Sequence, residues 1–454
     1  MSKNDSLTRR EFLEKTTLIA STVAAVSGVK KVRGQLNNAA VLPLARLGVG
    51  FIGVGIRGTL LLEGTQQIKG ANIVAVCDLY KGHLDRAKEL VKGALVTTND
   101  YQELLSRSDI DAVVVAVPDH WHKKVVLDAL QAGKNVYIEK PLTHRWEDGE
   151  ELIAAVDKSK KVVQVGSQYL SMGCALKAVD LIRSGRLGQI TMVEGKVHRN
   201  SSTGAWYYPI PPDASPQTID WKRFIGDSKW YEFDPKRFFQ WRLFWDYSGG
   251  LPTDLFVHLV SATHQLMGVE AAESVFAFGA IYRWKNYRDV PDQMCALATY
   301  KEGFTFKLTA TANNSHPGPA ITFYGTEGTL EYNGDSMKFF FEPRQESYNY
   351  STHSWATPTV EQFKDIMNLN DKQTPLIDPP PQAAEPMSFD AKDAEDSTAA
   401  HLRNFYDAIR KGTKPLEDIR FGVNAVNVGH MVNISFKTGK IARWNAKARK
   451  VEVV

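Results

Sequence analysis

From residue 46 to about 165 the chain alternates short, unbroken apolar runs with amphipathic stretches. The runs fall at 47–52, 73–77, 112–117, 135–138 and 162–165, and the segments 59–69, 84–91, 101–106, 122–132 and 147–159 read as helices. Unbroken apolar runs belong to strands covered on both faces, and their alternation with helices predicts a doubly wound parallel sheet with right-handed crossovers. Past 165 the pattern changes. After a helix at 176–184, segments 190–198, 272–282, 292–300, 304–312 and 320–325 alternate apolar and polar residues at period two, as in an antiparallel sheet with one covered face. The expected fold class is α/β: a parallel-sheet domain over 45–165, then an α/β domain over 166–444 with a large, open, mostly antiparallel sheet. Segments 396–410 and 422–437, followed by Gly412 and Gly439, read as closing helices within 392–440. Two irregular stretches interrupt the second domain: 200–250, dense in aromatics, and 342–392, with Pro379-Pro380-Pro381. Long loops of this kind are usually functional or disordered.

With 454 residues, 43% hydrophobic and 23% charged, the chain has ordinary globular composition and length for two or three cores. Its net charge of +4 is dispersed, with no basic stripe interleaved with aromatics, so nucleic acid is not expected as a partner. Cys77, Cys174 and Cys295 are too widely spaced for a disulfide framework or a zinc site, and Cys77, inside an apolar run, reads as a buried small residue. The pair His120 and His122 has no carboxylate or cysteine cluster to converge with, so no metal is expected. At the N-terminus, Thr8-Arg9-Arg10-Glu11-Phe12-Leu13 precedes a moderately apolar segment, 16–26, and then Lys30, Lys31 and Arg33. This is the layout of a twin-arginine export signal, too short to span a bilayer. Residues 1–40 are therefore read as signal and linker, the export machinery as a partner, and the location as periplasmic or otherwise outside the cytoplasm. No clear A-x-A site marks cleavage near 28–40, and an uncleaved anchor is the alternative.

The first apolar run ends in Gly53-x-Gly55-x-x-Gly58, with Ile56 and Arg57 between the last two glycines, and the second closes on Asp78 twenty residues later. The first glycine allows a sharp turn off a strand, the second a close approach of backbone to a pyrophosphate, and the third tight packing of the next helix. The phosphates then meet a helix N-terminus. Asp78 favours NAD over NADP, because a carboxylate accepts hydrogen bonds from ribose hydroxyls and repels a 2′-phosphate. Arg57 and Lys81 are the nearby cations that argue for NADP.

Further motifs follow in order. Pro118-x-x-x-His122 follows the third run, Glu139-Lys140-Pro141 the fourth, and Gly249-Gly250 precedes Asp254-x-x-x-His258. With the glycine loop, these resemble the Gfo/Idh/MocA family, the sugar and inositol dehydrogenases that include glucose-fructose oxidoreductase. Gly325-Thr-Glu-Gly-Thr-Leu330 and His401-x-x-Asn-Phe405 also look like that family, so the resemblance spans about 46–444. It implies a Rossmann domain with tightly held NAD, followed by an α/β domain whose open sheet supports substrate and often oligomerisation. An open sheet needs cover, which predicts at least a homodimer.

By the same resemblance Lys140, next to Glu139, approaches the nicotinamide and the substrate hydroxyl, His258 is general acid/base, and Asp254 positions or polarises it. The chemistry agrees: oxidising a secondary alcohol needs a base for the hydroxyl proton, and a lysine stabilises the developing alkoxide. If 251–268 is a helix, Asp254 and His258 share one face, and His264 lies on another part of its surface. Pro118, Trp121 and His122 stand at a strand C-terminus, where ligands bind in doubly wound sheets; Trp121 would cover the nicotinamide ring and His122 cap or pack beside the cofactor.

The stretch from Trp206 to Tyr247 contains nine Trp and Tyr residues. Sugar rings stack their C–H faces on aromatics while polar groups fix the hydroxyls. The candidates are Trp241 with Gln168, Lys196, His198, Arg199, Asn200 and Arg242. Together these features predict an exported NAD-dependent oxidoreductase acting on a sugar, glycoside or polyol carbinol. A glycosidase using a transient keto-sugar, or a sugar-binding protein that keeps the cofactor as structure, are the alternatives.

Overall fold

The computed structural model describes residues 46–316, 320–342, 350–373, 387–390 and 396–454. The export signal expected at 1–40 and the triple proline lie outside the described residues. Six parallel strands, β1 (Leu47–Ile52), β2 (Ala71–Cys77), β3 (Val96–Thr98), β4 (Ala112–Val115), β5 (Asn135–Glu139) and β6 (Val163–Gly166), form a sheet in the order β3-β2-β1-β4-β5-β6. The strand order reverses between β1 and β4, the place where such sheets open a crevice. β4 shows why its run is unbroken: Ala112, Val113, Val114 and Val115 are all fully buried, because helices cover both faces. β3 is too short and polar to stand out in the apolar pattern. The first helix, Ile56–Gln66, starts earlier than its periodicity suggests because Ile56 and Arg57 of the glycine loop are already helical.

Ten strands form the second sheet, in the order β14-β13-β12-β11-β7-β10-β9-β8-β15-β16. They are β7 (Ile190–His198), β8 (Ser274–Ala280), β9 (Gln293–Tyr300), β10 (Phe304–Thr311), β11 (Ile321–Gly325), β12 (Gly328–Tyr332), β13 (Ser336–Phe341), β14 (Met387–Asp390), β15 (Ala442–Asn445) and β16 (Lys450–Val453). Only β7 and β10 run parallel. The period-two pattern has its expected cause in β9, where Met294, Ala296, Ala298 and Tyr300 are buried and Cys295, Leu297 and Thr299 are exposed. The buried face is covered by the helices Val257–Met267 and Ile419–Thr438. Asp418 caps the second of these by accepting from the backbone N–H groups of Arg420 and Phe421.

Three sequence expectations change. The stretch read as irregular after residue 342 contains the helix Thr357–Gln373 and the edge strand β14, whose four residues pair with β13. His264 is not on a helix surface: it is buried, 3.0 Å from the Tyr300 hydroxyl. The closing helix Ser397–Lys411 lies in sequence between β14 and β15 of the second sheet but packs on the first, where Leu402, Phe405 and Tyr406 join Leu61 and Tyr137 in one core. A hydrogen bond of 3.0 Å between Thr65 Oγ1 and Tyr406 Oη fixes it there. Among the described residues no helix is long and apolar enough to cross a membrane.

The aromatic stretch forms only short helices, among them Trp221–Ile225 and Pro235–Phe239. It crosses the end of β2. Ile219 makes an antiparallel bridge with Tyr80, Lys81 N donates to Thr218 O at 2.9 Å, and Asp220 N donates to Leu79 O at 2.8 Å.

Candidate active site

The C-terminal ends of β1, β2, β4 and β5 open onto a cleft of about 790 Å³. At its floor Gly53 has φ +86°, and a Cβ on Gly58 would stand 2.1 Å from the Gly53 carbonyl oxygen, so the loop closes against the helix only with glycine at both places. The helix beginning at Ile56 has no side-chain cap, which leaves its first N–H groups facing the cleft. Asp78, at the end of β2, accepts from Val54 N at 2.8 Å, Tyr80 N at 2.9 Å and His83 Nδ1 at 3.1 Å. Burial pushes this carboxyl up, but His83 and the two N–H groups outweigh it and hold Asp78 below the ordinary range. A glycine cradle, an uncapped helix start and an ionised carboxylate together fit a dinucleotide.

Lys140 follows β5 and points across the cleft. Its Nζ donates to the Asp254 carbonyl and to Asp254 Oδ1, both at 2.9 Å. Arg242 Nε donates to the same Oδ1 at 3.1 Å. Burial alone would raise the Asp254 carboxyl; Lys140 and Arg242 hold it far below the carboxylate range. The helix expected over 251–268 contains a π turn at Pro252–Phe256, after which the α-helix runs from Val257 to Met267. The widened turn changes the relation of Asp254 to His258. Asp254 binds Lys140 and Arg242 rather than His258, whose Nδ1 is buried with no hydrogen-bond partner. Asp254 therefore does not polarise the imidazole through a hydrogen bond. Burial, reinforced by Lys140, drives His258 well below the usual histidine range, so the ring is neutral at neutral pH.

The cleft wall brings together Gly53, Gly55, Ile56, Arg57, Asp78, Pro118, Trp121, Glu139, Lys140, Gln168, Arg199, Trp241, Arg242 and His258. Arg57 turns to Glu139 at 2.7 Å and to Thr398 at 3.1 Å, tying the glycine loop to the strand that delivers Lys140. His122 is not on the wall: its ring nitrogens lie 2.6 Å from the Pro141 carbonyl and 2.9 Å from that of Val117, so it braces the Lys140 turn from behind. The Trp121 indole donates to Phe224 O at 2.9 Å.

Lys196, His198 and Asn200 are corrections. In β7 the buried side carries Val193 and Gly195, against Leu259 and Phe306, so Lys196 and His198 point to the opposite face of the sheet. There His198 Nε2 lies 3.2 Å from Thr309 Oγ1. Asn200, beyond the strand, accepts from Arg283. Arg199, one residue out of phase with Lys196 and His198, lines the cleft.

Sequence reasoning missed Asp119, Tyr169, Tyr208 and His83, all four on the cleft wall: Asp119 is buried, Tyr208 and His83 are half-buried, and Tyr169 is exposed. Asp119 accepts from Gly249 N at 3.3 Å, and burial pushes it up to about 6. Its place directly after Pro118 at a strand end was the available signal. Tyr169 meets the His258 ring edge-on at 5.4 Å.

Residues 47–167 match the model of an oxidoreductase family, NAD-binding Rossmann fold, and 179–443 that of its C-terminal alpha/beta domain. An alpha-N-acetylgalactosaminidase of Shewanella oneidensis is 31% identical over 175 residues, 35% of this chain and 38% of that protein. An inositol 2-dehydrogenase of Salmonella paratyphi B is 31% identical over 175 residues, 38% of this chain and 50% of that protein. The chain thus spans half or less of these curated relatives. A levoglucosan dehydrogenase solved with NADH and levoglucosan shares the fold, with a TM-score of 0.60 at 18% identity over 90% of this chain and 99% of that one.

Proposed function

Since the chain belongs to the Gfo/Idh/MocA oxidoreductase family, we propose that it is an exported, NAD-dependent enzyme that moves hydride between nicotinamide and a carbinol of a sugar, glycoside or polyol. The observation that carries this is the convergence of Lys140 and neutral His258 on one cleft, with Asp254 holding Lys140 at 2.9 Å. When bound, the dinucleotide supplies the hydride acceptor and donor; Gly53, Gly55, Gly58 and Asp78 would hold it. His258 takes the hydroxyl proton as the carbinol C–H is lost and returns it in the reverse direction. Lys140 stabilises the oxygen as negative charge develops. Arg199, Arg242, Gln168 and Trp241 face the same space and are the groups available to the remaining hydroxyls.

A second reading has its own support in the galactosaminidase relative. In it the oxidation is transient: the ketone acidifies a neighbouring C–H, the glycosidic bond eliminates, and the hydride is returned. The test is to release and identify nucleotide from the purified protein, then incubate the protein with free sugars and aryl glycosides while following nicotinamide absorbance and glycoside cleavage. Net NADH with a free sugar establishes the dehydrogenase; cleavage without net NADH establishes the glycosidase. Neither signal would overturn both. Export rests on Arg9 and Arg10 ahead of Phe12-Leu13. Fusing residues 1–40 to a reporter should give export that fails when both arginines become lysine, and export indifferent to that change rejects it.

A further inference from the structure

Asp78 is not alone at the ribose end of the cleft. His83, in the first turn of the helix Lys81–Leu90, places Nδ1 3.1 Å from Asp78 Oδ1. The ring lies beside the glycine loop, its Cε1 3.4 Å from the place of a Cβ on Gly55. Tyr80 meets it edge-on at 4.9 Å, and Phe239 of the aromatic stretch at 6.2 Å. It remains on the cleft wall, with its side chain 28% exposed. The other charged groups nearby are engaged elsewhere. On its own helix Lys81 pairs with Asp85 at 2.7 Å and Arg86 with Glu89 at 2.8 Å. In the glycine loop Arg57 pairs with Glu139. From the aromatic stretch Asp213 takes the Tyr80 hydroxyl at 2.6 Å, Arg237 pairs with Asp246, and Lys236 sits over the Tyr287 ring. Asp78 is the charge that His83 faces.

We propose that His83 makes the choice between NAD and NADP depend on pH: a neutral ring leaves the Asp78 charge to repel a 2′-phosphate, whereas an imidazolium cancels that charge and offers its own N–H to the phosphate. The inference rests on the dinucleotide reading above and extends it to which dinucleotide is held. Burial pulls the imidazole down and Asp78 raises it; the net direction is upward, so the changeover lies above the ordinary 6.5. The second proton of a phosphate monoester titrates at about 6, so the 2′-phosphate is already mostly a dianion at pH 6.5 and gains little further charge by pH 9.

The full chain is incubated with equal NAD⁺ and NADP⁺ at pH 6.5 and pH 9 until the bound composition is constant, desalted rapidly, and its nucleotides are released and quantified. Moving one unit charge on the wall of a half-buried site should change the NADP-to-NAD ratio by about tenfold, with more NADP at pH 6.5. His83→Gln should keep the pH 9 ratio at both values, and His83→Lys the NADP-rich ratio at both. A ratio flat with pH in the unmodified protein, or a slope that survives in His83→Gln, overturns the role of His83 and leaves the dinucleotide site standing. Failure to retain either nucleotide overturns both.

Discussion

Lys140 and Lys196 each stand on or next to a strand in a stretch rich in functional candidates, yet one enters the cleft and the other faces away from it. Lys140 comes just after β5, a strand covered on both faces, and the doubly wound topology sends every such strand end to the same crevice. Lys196 lies within β7, whose two faces differ, and its direction depends on parity alone. A candidate at a parallel strand's C-terminus is placed by topology. One inside an open sheet is placed by a register that no local motif announces.

The largest expected effect lies on the topological side. His258→Ala should lower hydride transfer by about 10²–10⁴-fold, the usual worth of a positioned acid/base, while bound dinucleotide is retained; single-turnover absorbance with nucleotide quantitation reads both. Full activity would remove His258 from the chemistry. Next comes stability. Asp254→Ala strands Lys140 and Arg242 without their buried carboxylate and should cost about 3–5 kcal/mol. The pair on the far face of the second sheet, Lys307 and Glu194 at 2.8 Å, is solvent-exposed, and Glu194→Ala should cost about 1 kcal/mol or less. Denaturant titration of the two variants compares them, and equal losses would erase the distinction between the faces.

A smaller effect tests parity directly. Arg199→Ala should raise KM about tenfold, as expected for losing a charge-assisted hydrogen bond, whereas Lys196→Ala and His198→Ala should each leave KM within about twofold. Substrate affinity that responds to Lys196 and not to Arg199 would return the site to the other face. Smallest is a displacement with no change in plateau. His258 must be neutral to take a proton, and activity falls as pH drops through its folded value, which burial and Lys140 have lowered. The acid limb of kcat/KM therefore lies below pH 6.5, and a limb above 6.5 would assign the base to another group.

The legible parts share a physical basis. The β1 and β4 runs, the glycine loop and Asp78 are legible because each is a local consequence of backbone geometry or two-sided burial. The period-two strands β9 and β10 were equally readable. β3 and β14 were not: β3 has a single apolar residue, and the four residues of β14, although they alternate, are too few to establish a period. The closing helix Ser397–Lys411 was visible as a helix, but not its destination on the first sheet, which Leu402, Phe405 and Tyr406 reach across more than 300 residues of sequence. In the site, Lys140, Asp254 and His258 were recognisable as a set, yet their connections were not: the π turn at Pro252–Phe256 aims Asp254 at Lys140 and Arg242.

The amino-acid sequence by itself determined the α/β class, the dinucleotide loop and the family motifs, because these depend on residues near one another in the chain. Only the tertiary structure decided that Arg57 braces Glu139, that His83 shares the Asp78 carboxylate, that His122 supports the Lys140 turn from behind, and that Arg199 rather than Lys196 meets the cleft. Each of those outcomes depends on where a side chain points once distant elements have packed, and direction is settled by burial and hydrogen-bond partners rather than by residue type.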